Sequence, residues 1–427
     1  MGAGCVALVV LGLGELRAQN VSTAPAPTPA LTVDALTAEV LQKNPELDFY
    51  RGEVSKAKAG GKIAAQWNNP ELSAELGSKR VWERGGGPTL GDGVAWSVSV
   101  AQPFEWPGRI ALRKAIANRQ VEWAELGLAQ FQAALAFRVR TLGYGVLAAR
   151  QKADAAQEVA GRFRALLDVL VQRDPAGVTP LLDQRIIEAN SITYQRRAAQ
   201  AERELQTALL ELNQLRGEPV TAPLKLTGQW PAFTNTPTLS RLLEAAATNN
   251  FDIRTRQVEL AQQGFHVQLA KNERYPTVTL APFYSSETAN DEQRIVGVGL
   301  SLPLPLWNQN QGQVGAAEAR VQQAEASIRL TCREVERKVA DHALALQTRI
   351  EEMAGWRPDA SQQLAEAAAL ADRHYRLGAV PVTTYLEMQS RYLEALDAVL
   401  ATRSEALEHR QQLELLVGQP WEQLISR

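Results

Sequence analysis

The side chains best suited to chemistry are four histidines, His266, His342, His374 and His409, and the two cysteines, Cys5 and Cys332. Imidazole and thiolate bind transition metals or relay protons when several converge. Here no two histidines stand at i, i+4, and none belongs to a zinc-protease pattern. They read as helix-surface or packing residues, and Cys332 as a small apolar helix residue. Glu366, Asp372 and Arg373 lie together just before a glycine-containing turn and could close an aperture by ion pairs between copies. The competing reading is that such charges on a helix simply face water. No catalytic constellation emerges, so no enzyme activity, cofactor or metal centre is expected.

Long helices position these groups. From Gln313 to Arg376, Val314, Val321, Ile328 and Val335 recur every seven residues, and Val339, Leu346 and Met353 resume after a four-residue step. The seam is expected to break near Gly355–Pro358. Ile187, Tyr194, Ala201, Ala208 and Leu215 carry the same period, as do Leu386, Leu393, Leu400 and Leu407. Residues 109–172 have few breakers, so a helix there would reach about 95 Å at 1.5 Å per residue. Matched periods imply antiparallel coiled hairpins, with Thr179 and Thr383 as expected N-caps of the returning helices.

The chain contains this arrangement twice. Leu36 aligns with Leu242, Asn44 with Asn250 and Pro70 with Pro276, each 206 residues apart. Each copy includes an alternating β-hairpin. In the second, Val298, Leu300 and Leu302 alternate with Gly297, Gly299 and Ser301, and the stiff corner Pro303-Leu304-Pro305-Leu306-Trp307 follows. The first copy ends in Pro103-Phe104-Glu105-Trp106-Pro107-Gly108.

These landmarks divide the chain into a signal peptide (1–18), a Pro-rich flexible leader (19–31) and a first repeat (32–216), whose β-hairpin spans about 71–102 and helical hairpin 109–216. A linker (217–238) leads to a second repeat (239–420), with a β-hairpin at about 277–302 and a helical hairpin at 312–417, and then a short tail (421–427). No Lys or Arg precedes the apolar run Cys5–Leu13, a departure from the usual signal pattern. With 45 basic against 47 acidic residues, the net charge of −2 disfavours a nucleic-acid partner.

Alternating strands of about nine to eleven residues are what an outer-membrane barrel wall needs. The chain offers four, whereas the smallest barrels need about eight, so the strands must oligomerise. Trp82, Trp96, Trp106 and Trp307, read as lying near strand ends, suit an interfacial aromatic girdle. The alternative is a soluble or peripheral periplasmic coiled-coil scaffold capped by the hairpins. The fold class is mostly α with a small membrane β part.

The layout resembles the TolC-type outer-membrane efflux factors over Thr32 to Pro420, and the short tail looks most like their heavy-metal-efflux branch. The specific marks are Asn44-Pro45-Glu46-Leu47, Tyr275-Pro276, Leu302-Pro303-Leu304-Pro305-Leu306, and Arg376-Leu377-Gly378 before Val382-Thr383. The resemblance implies a homotrimer in outer-membrane lipid, with a twelve-stranded barrel continued by a periplasmic helical tunnel. It also implies that a periplasmic adaptor, served by an inner-membrane pump, docks on two tips. Arg173, Gly177, Val178 and Thr179 form one; Arg376, Gly378, Val380, Val382 and Thr383 form the other. Asp174-Pro175-Ala176 departs from the pattern at the first tip. Cargo stays open among metal cations, organic toxins and a secreted polypeptide; for metal ions, selectivity would reside in the pump.

Overall fold

The computed structural model describes residues 30–85, 87–172, 181–233, 236–357 and 359–425. In chain order the first repeat contains β1 (Leu31–Thr32), α1 (Val33–Lys43), α2 (Glu46–Ala64), β2 (Glu71–Trp82), β3 (Thr89–Phe104), α3 (Arg109–Gln172) and α4 (Leu181–Arg216). After β4 (Leu226–Thr227) come α5 (Leu239–Asn249), α6 (Phe251–Asn272), β5 (Val278–Thr288), β6 (Glu292–Ser301), α7 (Gln311–Ala354), α8 (Ala360–Arg376), α9 (Val382–Val417) and α10 (Trp421–Ile425). The expected signal peptide and the first tip, Arg173 to Thr179, lie outside the described residues.

The duplicated asparagines explain how each repeat closes. Asn44 accepts the Glu46 N–H (2.9 Å) and donates to the Leu215 carbonyl at the end of α4 (2.9 Å). Asn250 caps α6 by accepting the Ile253 N–H (3.0 Å) and donates to the Leu416 carbonyl at the end of α9 (2.7 Å). One amide thus satisfies an orphan donor of one helix and an orphan acceptor of another. Opposite each asparagine the returning helix stops at a left-handed glycine, Gly217 (φ 69°) or Gly418 (φ 68°).

Three apolar clusters follow from this pairing. One joins α1, α3 and α4 through Leu36, Val139 and Leu212; a second joins α5, α7, α9 and α10 through Leu242, Val339, Leu413 and Trp421. The third lies between α3, α4, α8 and α9, around Phe163, Ile187, Tyr385 and Leu393. The heptad positions Ile187, Tyr194, Leu215, Leu393, Leu400 and Leu407 are all buried. The seam interruption occurs where expected, with α7 ending at Ala354 and α8 beginning at Ala360, whereas its counterpart α3 runs unbroken for 64 residues.

Several details differ from expectation. Leu31 and Thr32 pair in parallel with Leu226 and Thr227, so the leader's end is tied to the linker by backbone hydrogen bonds. Pro381, in extended backbone (φ −74°, ψ 159°), and not Thr383 is the N-cap of α9, so the helix starts at Val382 and Thr383 lies in its first turn. The strands run 12, 16, 11 and 10 residues, so β3 outreaches the expected span.

The two C-terminal glycines should respond differently to substitution. A Cβ on Gly418 would lie 2.5 Å from the Asn249 carbonyl oxygen, whereas one on Gly217 would meet nothing closer than 3.5 Å. Gly217→Ala is expected to cost about 1 kcal/mol from its backbone conformation alone, and Gly418→Ala clearly more, about 2–4 kcal/mol. Apparent melting temperatures of the detergent-solubilised protein would test this order.

Candidate functional site

The site is a surface and a passage, and its first part is the sheet. The order is β2-β3-β5-β6, antiparallel throughout. The register stacks Ala74, Val98, Tyr284 and Val296 in one row and Leu76, Trp96, Ser286 and Arg294 in the next. Since partners in a row share a face, the even-numbered residues form an apolar face that also holds Leu72, Val100, Leu280, Val298 and Leu300. Among the described residues nothing covers it: Leu76 is 82% exposed and Val296 80%. The opposite face carries Glu71, Ser73, Glu75, Ser97, Ser285 and Gly299, and there Lys79 pairs with Glu287 at 2.9 Å. The strands β2 and β6 are the sheet's edges, with no partner among the described residues.

The second part is the pair of corners where strands become helices, and both converge on the end of α6. Arg109, opening α3, donates to Asn272 Oδ1 (3.2 Å), Thr277 Oγ1 (3.1 Å) and the Tyr275 carbonyl (2.8 Å). Asn272 returns a hydrogen bond to the Pro107 carbonyl (3.0 Å), and Trp106 stacks on Tyr275 at 4.6 Å. At the other corner Asn310, in left-handed backbone at φ 60°, opens α7 and donates to the Ala270 carbonyl (2.8 Å). Asparagine is among the few residues apart from glycine that tolerate this conformation.

The third part is the α8–α9 turn. The N–H of Ala379 bonds the His374 carbonyl and that of Gly378 bonds Tyr375, with Gly378 at φ 75°, which is a Schellman closure. Leu377 is left 75% exposed at the apex. Beneath the turn, Arg162 of α3 donates to Gln389 Oε1 (3.0 Å), and Gln389 donates to the Ala368 carbonyl (2.7 Å). Arg376 pairs with Asp372 at 2.9 Å and reaches the Arg162 carbonyl at 3.4 Å. Three helices are clasped by one polar network, which also faces a stack of Phe163, Tyr194, Tyr375 and Tyr385. Burial, then the neighbouring Asp372 carboxylate, pushes the Tyr385 phenol far above its ordinary pKa, and its hydroxyl lacks a well-aligned partner.

A sheet with an uncovered apolar face, joined to a coiled-coil shaft, is the shape that comparisons return. The outer membrane efflux protein family model matches residues 36–218 and 242–419. The chain belongs to the outer membrane efflux protein family. No curated protein sequence matches it. Among solved structures it is similar to a membrane protein from Pseudomonas aeruginosa (19% identity, 92% of each chain, TM-score 0.73). It also resembles the CmeC outer membrane channel of Campylobacter jejuni (13% identity, 97% of this chain and 94% of that one, TM-score 0.70). A third likeness is to CusC (16% identity, 91% and 92%, TM-score 0.71), described in terms of transmembrane channel formation. The efflux protein is thus an outer-membrane channel component. The soluble-scaffold reading gives way to it. No described helix is long and apolar enough to cross a membrane.

In this efflux channel the singled-out residues separate. Trp82 closes β2 at the far end of the sheet, while Trp106 and the 94% exposed Trp307 sit at the helix-proximal corners. Trp96 lies in mid-strand instead, opposite Leu76 and 5.3 Å from Tyr284, because β3 extends seven residues before it. Of the second tip, Gly378 and Thr383 are exposed, Arg376 and Val380 half-buried, and Val382 packed into the core. Asp372 is engaged by Arg376 on its own helix, Glu366 is exposed beside Gln362, and Arg373 is exposed without an ion pair among the described residues.

His266 is half-buried on α6 and His374 exposed on α8. His342 and His409, 67 residues apart in sequence, meet at 3.1 Å. Sequence spacing hid that contact, as it hid the roles of Arg109, Asn272 and Asn310; His342 follows the heptad residue Val339 by three, but His409 falls two after Leu407 and so off the leucine heptad of α9.

Arg109 should be the critical corner residue. Arg109→Ala is expected to lose about 1–3 kcal/mol, since Asn272 and Thr277 forfeit a charged partner, and Arg109→Lys to recover only part, lacking the planar fork. Thermal denaturation of both variants in detergent would measure the effect.

Proposed function

We propose that this efflux channel acts as a homotrimeric passive conduit through the outer membrane. The observation that carries the reading is the four-stranded sheet with two free edges and one uncovered apolar face. Hydrocarbon cannot satisfy backbone groups, so each β6 must meet the β2 of a neighbour, and three chains supply twelve strands. The apolar face then meets lipid, and the face with Glu71 and Glu75 lines the lumen.

In this reading the periplasmic tips dock an adaptor that serves an inner-membrane pump. Leu377, Gly378, Val380 and Thr383, with Arg376 behind them, are the second tip's contact residues; Arg173, Gly177, Val178 and Thr179 are assigned to the first from sequence. Val382 acts from within the core by setting the turn. Glu366, Asp372 and Arg373 hold the aperture, with Asp372 acting through its clasp on Arg376. Heavy-metal cations are the proposed cargo, in keeping with Glu71 and Glu75 on the inner face, which make no ion pair among the described residues.

Three measurements test this reading. Envelope fractionation should recover a detergent-resistant trimer in the outer membrane; a soluble monomer would overturn it. In planar bilayers, Asp372→Ala and Arg373→Ala should raise conductance severalfold, and wild-type conductance in both would remove the aperture assignment. A deletion strain should become sensitive to heavy-metal salts but not to organic toxicants; the converse would reassign the cargo.

A further inference from the structure

The seam between α7 and α9 contains one layer unlike its neighbours. On α7, Val335, Val339 and Leu346 are buried at the alternating four- and three-residue steps of a coiled coil, and His342 fills the step between the last two. On α9, Ala406 and Leu413 are buried, and His409 fills the equivalent step. The two imidazoles meet Nδ1 to Nδ1 at 3.1 Å, with ring centroids 5.3 Å apart, so each ring lies behind its own nitrogen. This is the head-on arrangement of a single N–H···N hydrogen bond.

That bond has a strict proton requirement. One Nδ1 must carry hydrogen and the other must present a lone pair. A first added proton leaves the bond intact, because an imidazolium can donate to the remaining neutral ring. A second removes the last acceptor and sets two like charges against each other inside an apolar seam. Among the described residues no group of three or more His, Cys, Asp or Glu side chains converges here to complete a metal cage.

We propose that the His342–His409 pair is a proton-responsive latch of the α7–α9 hairpin, closed while the rings share an Nδ1 hydrogen and released when both are protonated. The inference rests on the fold alone and not on the cargo or trimer readings. Burial holds His342 below its ordinary pKa of 6.5, and His409 and Lys338 add to that, whereas Asp341 and Glu408 oppose it. The next charged pair across the same two helices is Arg349–Glu405 at 2.9 Å. From the other elements packed here, α5 contributes the apolar Leu242 and Ala246, while its Arg241 and Glu244 line a separate groove with Gln419. On the far side of α9, α3 directs Arg140 to Glu414 and Thr141 to Gln411.

The sign follows from linkage. A base whose folded pKa lies below its unfolded value binds fewer protons when folded, so seam stability rises with pH and is lost progressively as pH falls from about 6.5 toward the lower folded-state value, completely once both rings are protonated. Release would loosen the second helical hairpin at its equator, in the helix that leads directly from the α8–α9 tip.

Hydrogen exchange on the full-length protein in detergent with a chelator tests the latch. After correction for intrinsic rates, peptides covering 335–350 and 402–416 should exchange about tenfold faster at about pH 5 than at about pH 7.5, while α3 peptides around Val146–Ala160 change little. His342→Leu restores an apolar layer and should abolish the pH response. His409→Gln keeps an uncharged acceptor for His342 and should abolish it too, giving a second reading if the first variant folds poorly. A wild-type seam indifferent to pH, or a response that persists in a folded variant, would overturn the proposal.

Discussion

The backbone edges of β2 and β6 impose the governing constraint. Their outward N–H and C=O groups have no partner within the described chain, and a hydrocarbon environment offers none. Water would satisfy those groups, but it would also wet the uncovered row of Leu72, Leu76, Val296, Val298 and Leu300. The trimer proposed above answers both demands, with each edge paired to another copy and lipid against the apolar face.

The helices follow from the need to hold that sheet at the end of a shaft. Each strand pair feeds a long helix through a proline-rich corner, and both corners are tied to one place, the end of α6 between Ala270 and Thr277. The equator is secured by the same device twice, an asparagine against a left-handed glycine. The repeats then diverge. The first sends one continuous helix from sheet to tip, whereas the second breaks at Gly355 and restarts at Ala360. The broken copy is also the one whose lower segment, α8, is held by the Arg162–Gln389 and Asp372–Arg376 network. A continuous strut thus stands beside a jointed one.

Polar groups inside the seams are few, and each has a definable mechanical task. Gln389 is fully buried and links α3 to α8 through opposite ends of one amide. Thr141 and Gln411 join α3 to α9 at 2.9 Å. Such groups cost stability relative to leucine but penalise every alternative register, because a shifted helix would leave them unpaired.

Much of this was written in periodicity. A seven-residue repeat forces a seam, a two-residue alternation forces a sheet with one apolar face, and a 206-residue self-alignment forces two copies of both; these are local properties that need no knowledge of the fold. The breaks at Gly355 and at the corners were legible for the same reason. Sequence alone could not say that Trp96 sits in mid-strand, that Val382 turns inward, or that Asp372 is claimed by Arg376. The meeting of His342 with His409 and the convergence of Arg109 on Asn272 join residues 67 and 163 positions apart. What the sequence determined is what repeats along the chain; what the tertiary structure decided is which remote side chains meet, because antiparallel packing fixes that by register and not by proximity in sequence.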